Sequence, residues 1–462
     1  MTLVSFSFAL FVLVLLPVYY RLPLRGQNGL LLLSSIGFAA SVDGRGAVLL
    51  LLLTAADFRI GRAMSWEAPD ARRLRLLWLS VFLDVGAIAA FKYLGPLETA
   101  LLGRPHAVHP LVPVGLSFYT LARLSHTLDV YFRVIRPSER FLDFLLFSSF
   151  FPTFVSGPIE RAKTFLPQLE ARRPFDVERF YEALWLVALG LFKKVYVADT
   201  CALMVQDFLD ADAAPNGSET FLGVYAYAIE LYGDFAGYSD MARGVARLFG
   251  IDVMQNFDAP YFSPSLAEYW KRWHVSFSSF LDDYVFAPAS MAFRTLGTLG
   301  VVLATFVTFL VSGLWHGTGF TFLVWGALHA LGLSIYVVTR KQRKRFSKVA
   351  PRVLTVLGTA VTFAWVCFAY VFFQAESVPA AFATLSRLAR PWTITEHIQD
   401  HWYDLTVMSV LLFGLDFLAR WRKSPLWVFS QPVWIRAVCY GVVLFCIVRL
   451  HAPAEAFVYA QF

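Results

Sequence analysis

Apolar runs of helix length recur along the whole chain, and they leave few folds open. Segments such as Leu76–Leu94 and Val353–Phe373 hold roughly 18 or more mostly apolar residues, the length a helix needs to cross a hydrocarbon core. About eleven to thirteen such runs can be placed, from Leu3–Tyr20 to Val433–Val448. Some, among them Leu30–Ala40 and Ala47–Asp57, are too short to span alone and suggest tilted, broken or re-entrant elements. The composition agrees: 58% of residues are hydrophobic and 16% charged, with a mean hydropathy of +0.58. A soluble domain carries about a quarter charged residues. The expectation is an all-α polytopic membrane protein. No long polar or Gly/Ser-rich segment divides it, so residues 1–462 read as one membrane domain without an internal repeat.

The net charge of +7 is not a nucleic-acid signature. Its densest basic cluster, "RKQRKRFSK" at Arg340–Lys348, directly follows an apolar run and reads as a cytoplasmic loop under the positive-inside rule. If so, Glu376–Tyr403 is an extracytoplasmic loop and the basic "RWRK" at Arg420–Lys423 is cytoplasmic again. Four scattered cysteines, without a C-x-x-C, indicate neither a disulfide framework nor a zinc site. The N-terminus lacks a basic n-region and a small-residue cleavage site, so it reads as a retained first helix.

The hydropathy pattern breaks between Phe221 and Phe320. There "FDAPYFSPSLAEYWKRWHVSFSSFLDDYVFAP" is too polar to span yet reads as a helix. Ser263 before Pro264, or Ser265 with Glu268, fits an N-terminal cap. From there Trp270, Trp273, Phe277, Phe280 or Leu281 and Tyr284 recur at helical spacing, opposite Lys271, Arg272, Ser279, Asp282 and Asp283. One amphipathic, interfacial helix is the expectation.

Two histidines stand out. His274 and His316 each follow a tryptophan where polar residues interrupt a membrane pattern, 42 positions apart in the sequence. That separation lets the intervening elements fold back and bring the two imidazoles together. Gly313, Gly317 and Gly319 permit close helix approach or a broken backbone around His316. Each imidazole is either buried and bonded to a backbone carbonyl, or a base for a hydroxyl near neutral pH. The other histidines are blander. His106 and His109 read as solvated loop residues, His126 and His329 as buried hydrogen-bonded ones. His397 and His401 have i,i+4 spacing without the H-E-x-x-H signature, so no metal is expected. No G-x-S-x-G elbow, Walker loop or Rossmann loop is present.

The motifs "EYWKRWHVSFSSFLDDYVF", "SGLWHGTGFTFLVWGALHA", "FFPTFVSGPIERAKTFLPQL" and "DFAGYSDMARG" resemble the membrane-bound O-acyltransferase (MBOAT) superfamily. They look most like its branch of alginate O-acetylation and teichoic acid D-alanylation, and run in order from about residue 110 to the C-terminus, with residues 1–109 as N-terminal membrane helices. The resemblance implies a ring of helices around a central tunnel in a bacterial cytoplasmic (inner) membrane. It implies His316 as general base and His274 as an orienting or polarising partner. Trp315, Trp273, Trp270, Asp234, Tyr238, Asp283 and Asn256 would line the substrate path. It implies no tightly bound cofactor, with acetyl-CoA or a carrier-protein acyl thioester as donor substrate. The implied partners are an extracytoplasmic SGNH-type or related acetyltransferase and, for a carrier donor, a cytoplasmic acyl carrier protein. "VFAPASMAFRTLGTLG" is plainer than the alginate-type loop, and "FFPTFVSGPIER" leans toward the D-alanyl branch. The terminal "EAFVYAQF" and "FAWVCFAYVFFQAES" favour acetyl. D-alanyl transfer is the alternative; a transporter or non-catalytic scaffold would be expected to show matched inverted halves, which are not seen.

Overall fold

A computed structural model describes residues 2–102, 112–210, 214–347 and 350–449. His106, His109, Lys348 and the C-terminal "EAFVYAQF" lie outside them. Every apolar run placed in the sequence contains a helix, although that of Phe141–Val155 ends at Ser149 and gives way to turns, and no strand occurs among the described residues. Five helices are long and apolar enough to cross a membrane: those spanning Asp70–Thr99, Thr298–His316, Phe320–Val338, Pro351–Gln374 and Glu396–Trp421. The protein is therefore a polytopic all-α membrane protein.

The chain divides into two compact units, Met1–Val187 with Tyr238–Met254, and Ala188–Gly237 with Gln255–Phe462. The first contains α1 (Phe6–Arg21), α2 (Leu24–Val42), α3 (Gly44–Ala63), α4 (Asp70–Leu102), α5 (Leu116–Tyr131), α6 (Phe141–Ser149) and most of α7 (Val177–Leu191). Buried polar residues tie these helices together. Arg73 on α4 is buried and donates to the carbonyls of Met64 and Ser65, after the end of α3, and of Val130 and Tyr131, at the end of α5. One guanidinium thus satisfies the C-terminal carbonyls of two helices, groups that would otherwise be stranded in a low-dielectric interior. Deeper in the unit, Arg123 Nε lies 3.0 Å from Asp57 and an Arg123 terminal nitrogen 2.7 Å from Asp84, all three residues being buried. Ser80 donates to the other Asp57 oxygen at 2.8 Å. His126, as expected, is buried and hydrogen-bonded, its Nε2 accepting from the Ser138 amide.

The long helix α8 (Gly217–Leu248) gives its first part to the second unit and its last part to the first. Within the first unit it meets α7 at Gly244, where an added Cβ would lie 2.7 Å from the Ala183 carbonyl oxygen. Glycine is needed there because the two backbones touch. The second unit continues with α9 (Leu266–Trp270), α10 (Val275–Leu281), α11 (Thr298–His316), α12 (Phe320–Val338), α13 (Pro351–Gln374), α14 (Glu396–Trp421) and α15 (Val433–Arg449). The hairpin of α11 and α12 closes on Gly313, whose added Cβ would stand 2.5 Å from the Phe322 carbonyl oxygen.

Two expectations are corrected. The polar stretch after Ser263 is not one amphipathic helix. Ser265 caps α9 by accepting from the Glu268 amide, but α9 ends after five residues and the backbone turns left-handed at His274 (φ 45°, ψ 53°) before α10 begins. The reason lies in the preceding extended segment, which captures the amides that a continuous helix would use internally. Asn256 accepts from Val275 and Ser276, and the Asp258 amide donates to the Arg272 carbonyl. The second correction concerns Glu376–Tyr403, which is not a loop: it holds a helix at Val378–Arg387 and the start of α14. His397 and His401 lie on that helical turn, each beside its own carboxylate, Glu219 at 3.8 Å and Asp207 at 2.7 Å.

Candidate active site

The break between α9 and α10 determines where His274 points. Its left-handed backbone, held by Asn256 on the following two amides, turns a buried imidazole onto Phe235 of α8 (ring centroids 4.6 Å) and Phe277 of α10 (5.0 Å). A left-handed conformation is costly for a non-glycine residue and persists only where its surroundings enforce it. Burial pushes the His274 imidazole down to about 3, so it is neutral at physiological pH.

His316 is the last residue of α11, also buried. It packs against Trp315 (4.9 Å), Trp325 of α12 (5.0 Å), Phe373 of α13 (5.2 Å) and Phe277 (5.7 Å). The next residue, Gly317, leaves the helix in an extended conformation, and the Phe322 ring occupies the space a side chain would need. Phe277 and Trp315 stack on each other at 4.3 Å, and both histidines touch this pair: His274 lies 5.0 Å from Phe277 and 6.0 Å from Trp315. The fold-back expected from the sequence therefore takes place, with both imidazoles on the same two rings.

The other sequence-selected residues separate into groups. Trp270 packs on Phe309 and Trp325 in the ring cluster that includes His316, while Trp273 sits deeper, among Phe257, Tyr269 and Tyr261. Asp234, next to the residue that packs on His274, is buried and paired at 2.8 Å with Lys194, which also meets Asp199 at 2.7 Å. Lys194 belongs to a π-helical turn, Phe192–Ala198. Asn256 acts on backbone amides. Asp283 is exposed, and Tyr238 is buried in the first unit. Neither joins the ring cluster.

Trp325 and Phe373 join the cluster without having been singled out in the sequence, and His329 joins it in another role than the one expected. Trp325 and His329 are four apart on α12 and share a face, so the "WGALHA" spacing carried the signal. His329 also departs from the expectation of a hydrogen-bonded core histidine. It is fully buried among Trp325 (4.9 Å), Trp270 (5.0 Å) and Phe309 (6.0 Å), yet neither ring nitrogen has a hydrogen-bond partner among the described residues.

A buried pair of imidazoles at the junction of two broken helices, walled by aromatic rings and apolar helices, suits proton transfer to or from a neutral hydroxyl rather than charge storage. Residues 73–377 match the model of MBOAT, the membrane-bound O-acyltransferase family. The chain is 35% identical to the "Probable alginate O-acetylase AlgI" of Pseudomonas aeruginosa over 90% of its own length and 81% of that protein. It is 28% identical to the peptidoglycan O-acetyltransferase of Helicobacter pylori over 82% and 79% of the respective chains. To the teichoic acid D-alanyltransferase of Streptococcus thermophilus it is 33% identical over 45% and 52%. The chain belongs to the membrane-bound O-acyltransferase family and is an O-acyltransferase.

Proposed function

We propose that the protein carries an acetyl group from a cytoplasmic thioester donor, acetyl-CoA, across the bacterial inner membrane for O-acetylation of an exported or cell-surface polysaccharide. The whole chain acts as one membrane domain, its helices surrounding a tunnel in which donor and acceptor meet. The observation that carries this reading is the packing of His316 and His274 on the shared Phe277–Trp315 pair. His316 takes the proton of the acceptor hydroxyl as its oxygen attacks the thioester carbonyl. A tetrahedral oxyanion forms and collapses, the carbon–sulfur bond breaks, and the departing thiolate takes the proton from the imidazolium. His274, neutral, orients or polarises the reacting groups. A base in this position supplies about 10² to 10⁴ in rate, the remainder coming from positioning. An extracytoplasmic SGNH-type or related acetyltransferase receives the group and delivers it to the polymer.

D-alanyl transfer from a phosphopantetheine carrier protein is the second reading, favoured by the D-alanyltransferase relatives. Purified protein in lipid vesicles, given labelled acetyl-CoA or labelled D-alanyl carrier protein, separates the two. Label delivered from acetyl-CoA alone supports the first reading, and label delivered from the carrier alone overturns it.

A further inference from the structure

His329 lies one ring beyond the proposed base: Trp325 touches His316 at 5.0 Å on one side and His329 at 4.9 Å on the other. Trp270 closes the far side, 5.0 Å from His329 and 5.9 Å from Trp325. Among the described residues, four polar atoms of this trio are buried without a hydrogen-bond partner: both nitrogens of His329 and the indole nitrogens of Trp270 and Trp325. His329 is fully buried, so these are not groups turned toward solvent. An unsatisfied buried polar group is destabilising, and several in one ring cluster mark a place built to receive something. The trio offers three N–H donors, two from indoles and one from the imidazole, and one acceptor, the other imidazole nitrogen. The three residues carry no fixed charge to pair with an anion, and their N–H donors disfavour a cation, while Tyr269 and Phe309 add ring contacts around His329. A neutral group with an oxygen that accepts from two of these donors and an N–H that meets the free imidazole nitrogen fits the trio, which describes a secondary amide.

We infer that His329, Trp270 and Trp325 form a subsite for the secondary amide of the donor's arm, and so select thioesters whose amide follows the sulfur closely. This rests on the thioester-donor reading. In a cysteamine-type thioester the amide lies two carbons from the sulfur, a reach that matches a site one ring away from the base.

The test uses the full-length protein in lipid nanodiscs with glycerol in excess as the hydroxyl acceptor and two small donors, S-acetyl-N-acetylcysteamine and the amide-free S-butyl thioacetate, with thiol release and the matching glycerol ester followed together. The wild-type protein should prefer the amide donor in kcat/KM by about tenfold, the effect of one well-made hydrogen bond against an unmade one. His329→Phe, which keeps the ring packing, should bring that preference close to one. His329→Asn, which keeps a donor and an acceptor, should retain part of it. Trp270→Phe, which removes one donor, should give an intermediate ratio and decides the matter if His329→Phe fails to fold. A general loss of stability lowers both donors together and leaves the ratio alone. No wild-type preference, or a preference that survives His329→Phe and Trp270→Phe, overturns the subsite. Absence of thiol release from either donor in the wild type instead overturns the thioester reading beneath it.

Discussion

Replacing Asn256 with alanine tests whether the left-handed turn at His274 is held from outside the helix. The Asn256 side chain accepts from the Ser276 amide at 3.1 Å, and its backbone carbonyl accepts from Val275 at 3.0 Å. Alanine keeps the second bond and removes the first. Ser276 is fully buried, so water cannot readily replace the lost acceptor. An orphaned buried amide costs about 1–3 kcal/mol, and loss of a capping side chain about 0.5–2 kcal/mol, so a destabilisation of about 1–2 kcal/mol is expected. In a chain of this size that lowers the melting temperature by roughly 1–3 °C. The catalytic effect should be larger in proportion. With α10 free to wind back toward a continuous helix, His274 loses its orientation, and displacement of a catalytic group by an ångström or less reduces turnover on the order of tenfold or more. Asn256→Asp keeps the acceptor and should fall between wild type and Asn256→Ala in both measurements. Thermal unfolding in detergent and acetyl transfer on the same preparations provide the assay. An Asn256→Ala protein with unchanged melting temperature and turnover would show that the turn at His274 is not held by Asn256.

Glu160 accepts from the Met254 amide at 2.6 Å in a buried setting, and burial pushes its carboxyl up to about 8. A raised pKa makes the wild type lose stability as pH rises from about 4.5, where the unfolded carboxyl ionises, to about 8. Glu160→Gln should therefore gain on the wild type across that window in thermal unfolding and hold a constant advantage above it. Gly244→Ala drives a Cβ to 2.7 Å from the Ala183 carbonyl and should destabilise by about 1–3 kcal/mol. Gly37→Ala, on α2 with no atom within 4 Å of the new Cβ, should be neutral or slightly stabilising in the same melt. Arg123→Met leaves Asp57 and Asp84 buried without their cation and should cost about 3–5 kcal/mol, while adding Asp57→Asn and Asp84→Asn should recover most of the loss.

The membrane helices were legible because their signal is local: a run of apolar residues specifies a helix wherever it docks. His274 and His316 were legible for a related reason, since a polar ring in an apolar context stands out without a structure. The break at His274 was not legible. The helical spacing of Trp270, Trp273 and Phe277 is real, and what overrides it is a pair of hydrogen bonds that Asn256, outside the helix, accepts from Val275 and Ser276. The helix at Val378–Arg387 was hidden by its shortness, ten residues being too few for a membrane run, although Ser377 caps it through the Ala380 amide in a recognisable pattern. His329 was misread because no feature of "WGALHA" says whether a buried imidazole has a partner; that depends on which rings of α9 and α11 close around it.

Catalysis as proposed turns on His316 taking the proton of the acceptor hydroxyl. Its most direct test is transfer of labelled acetyl from acetyl-CoA by wild type and His316→Gln in lipid vesicles, at matched expression and melting temperature. If His316 is the base, His316→Gln loses about 10² to 10⁴ in turnover with little change in KM for the donor. Turnover within a few-fold of wild type in a folded His316→Gln protein would contradict it.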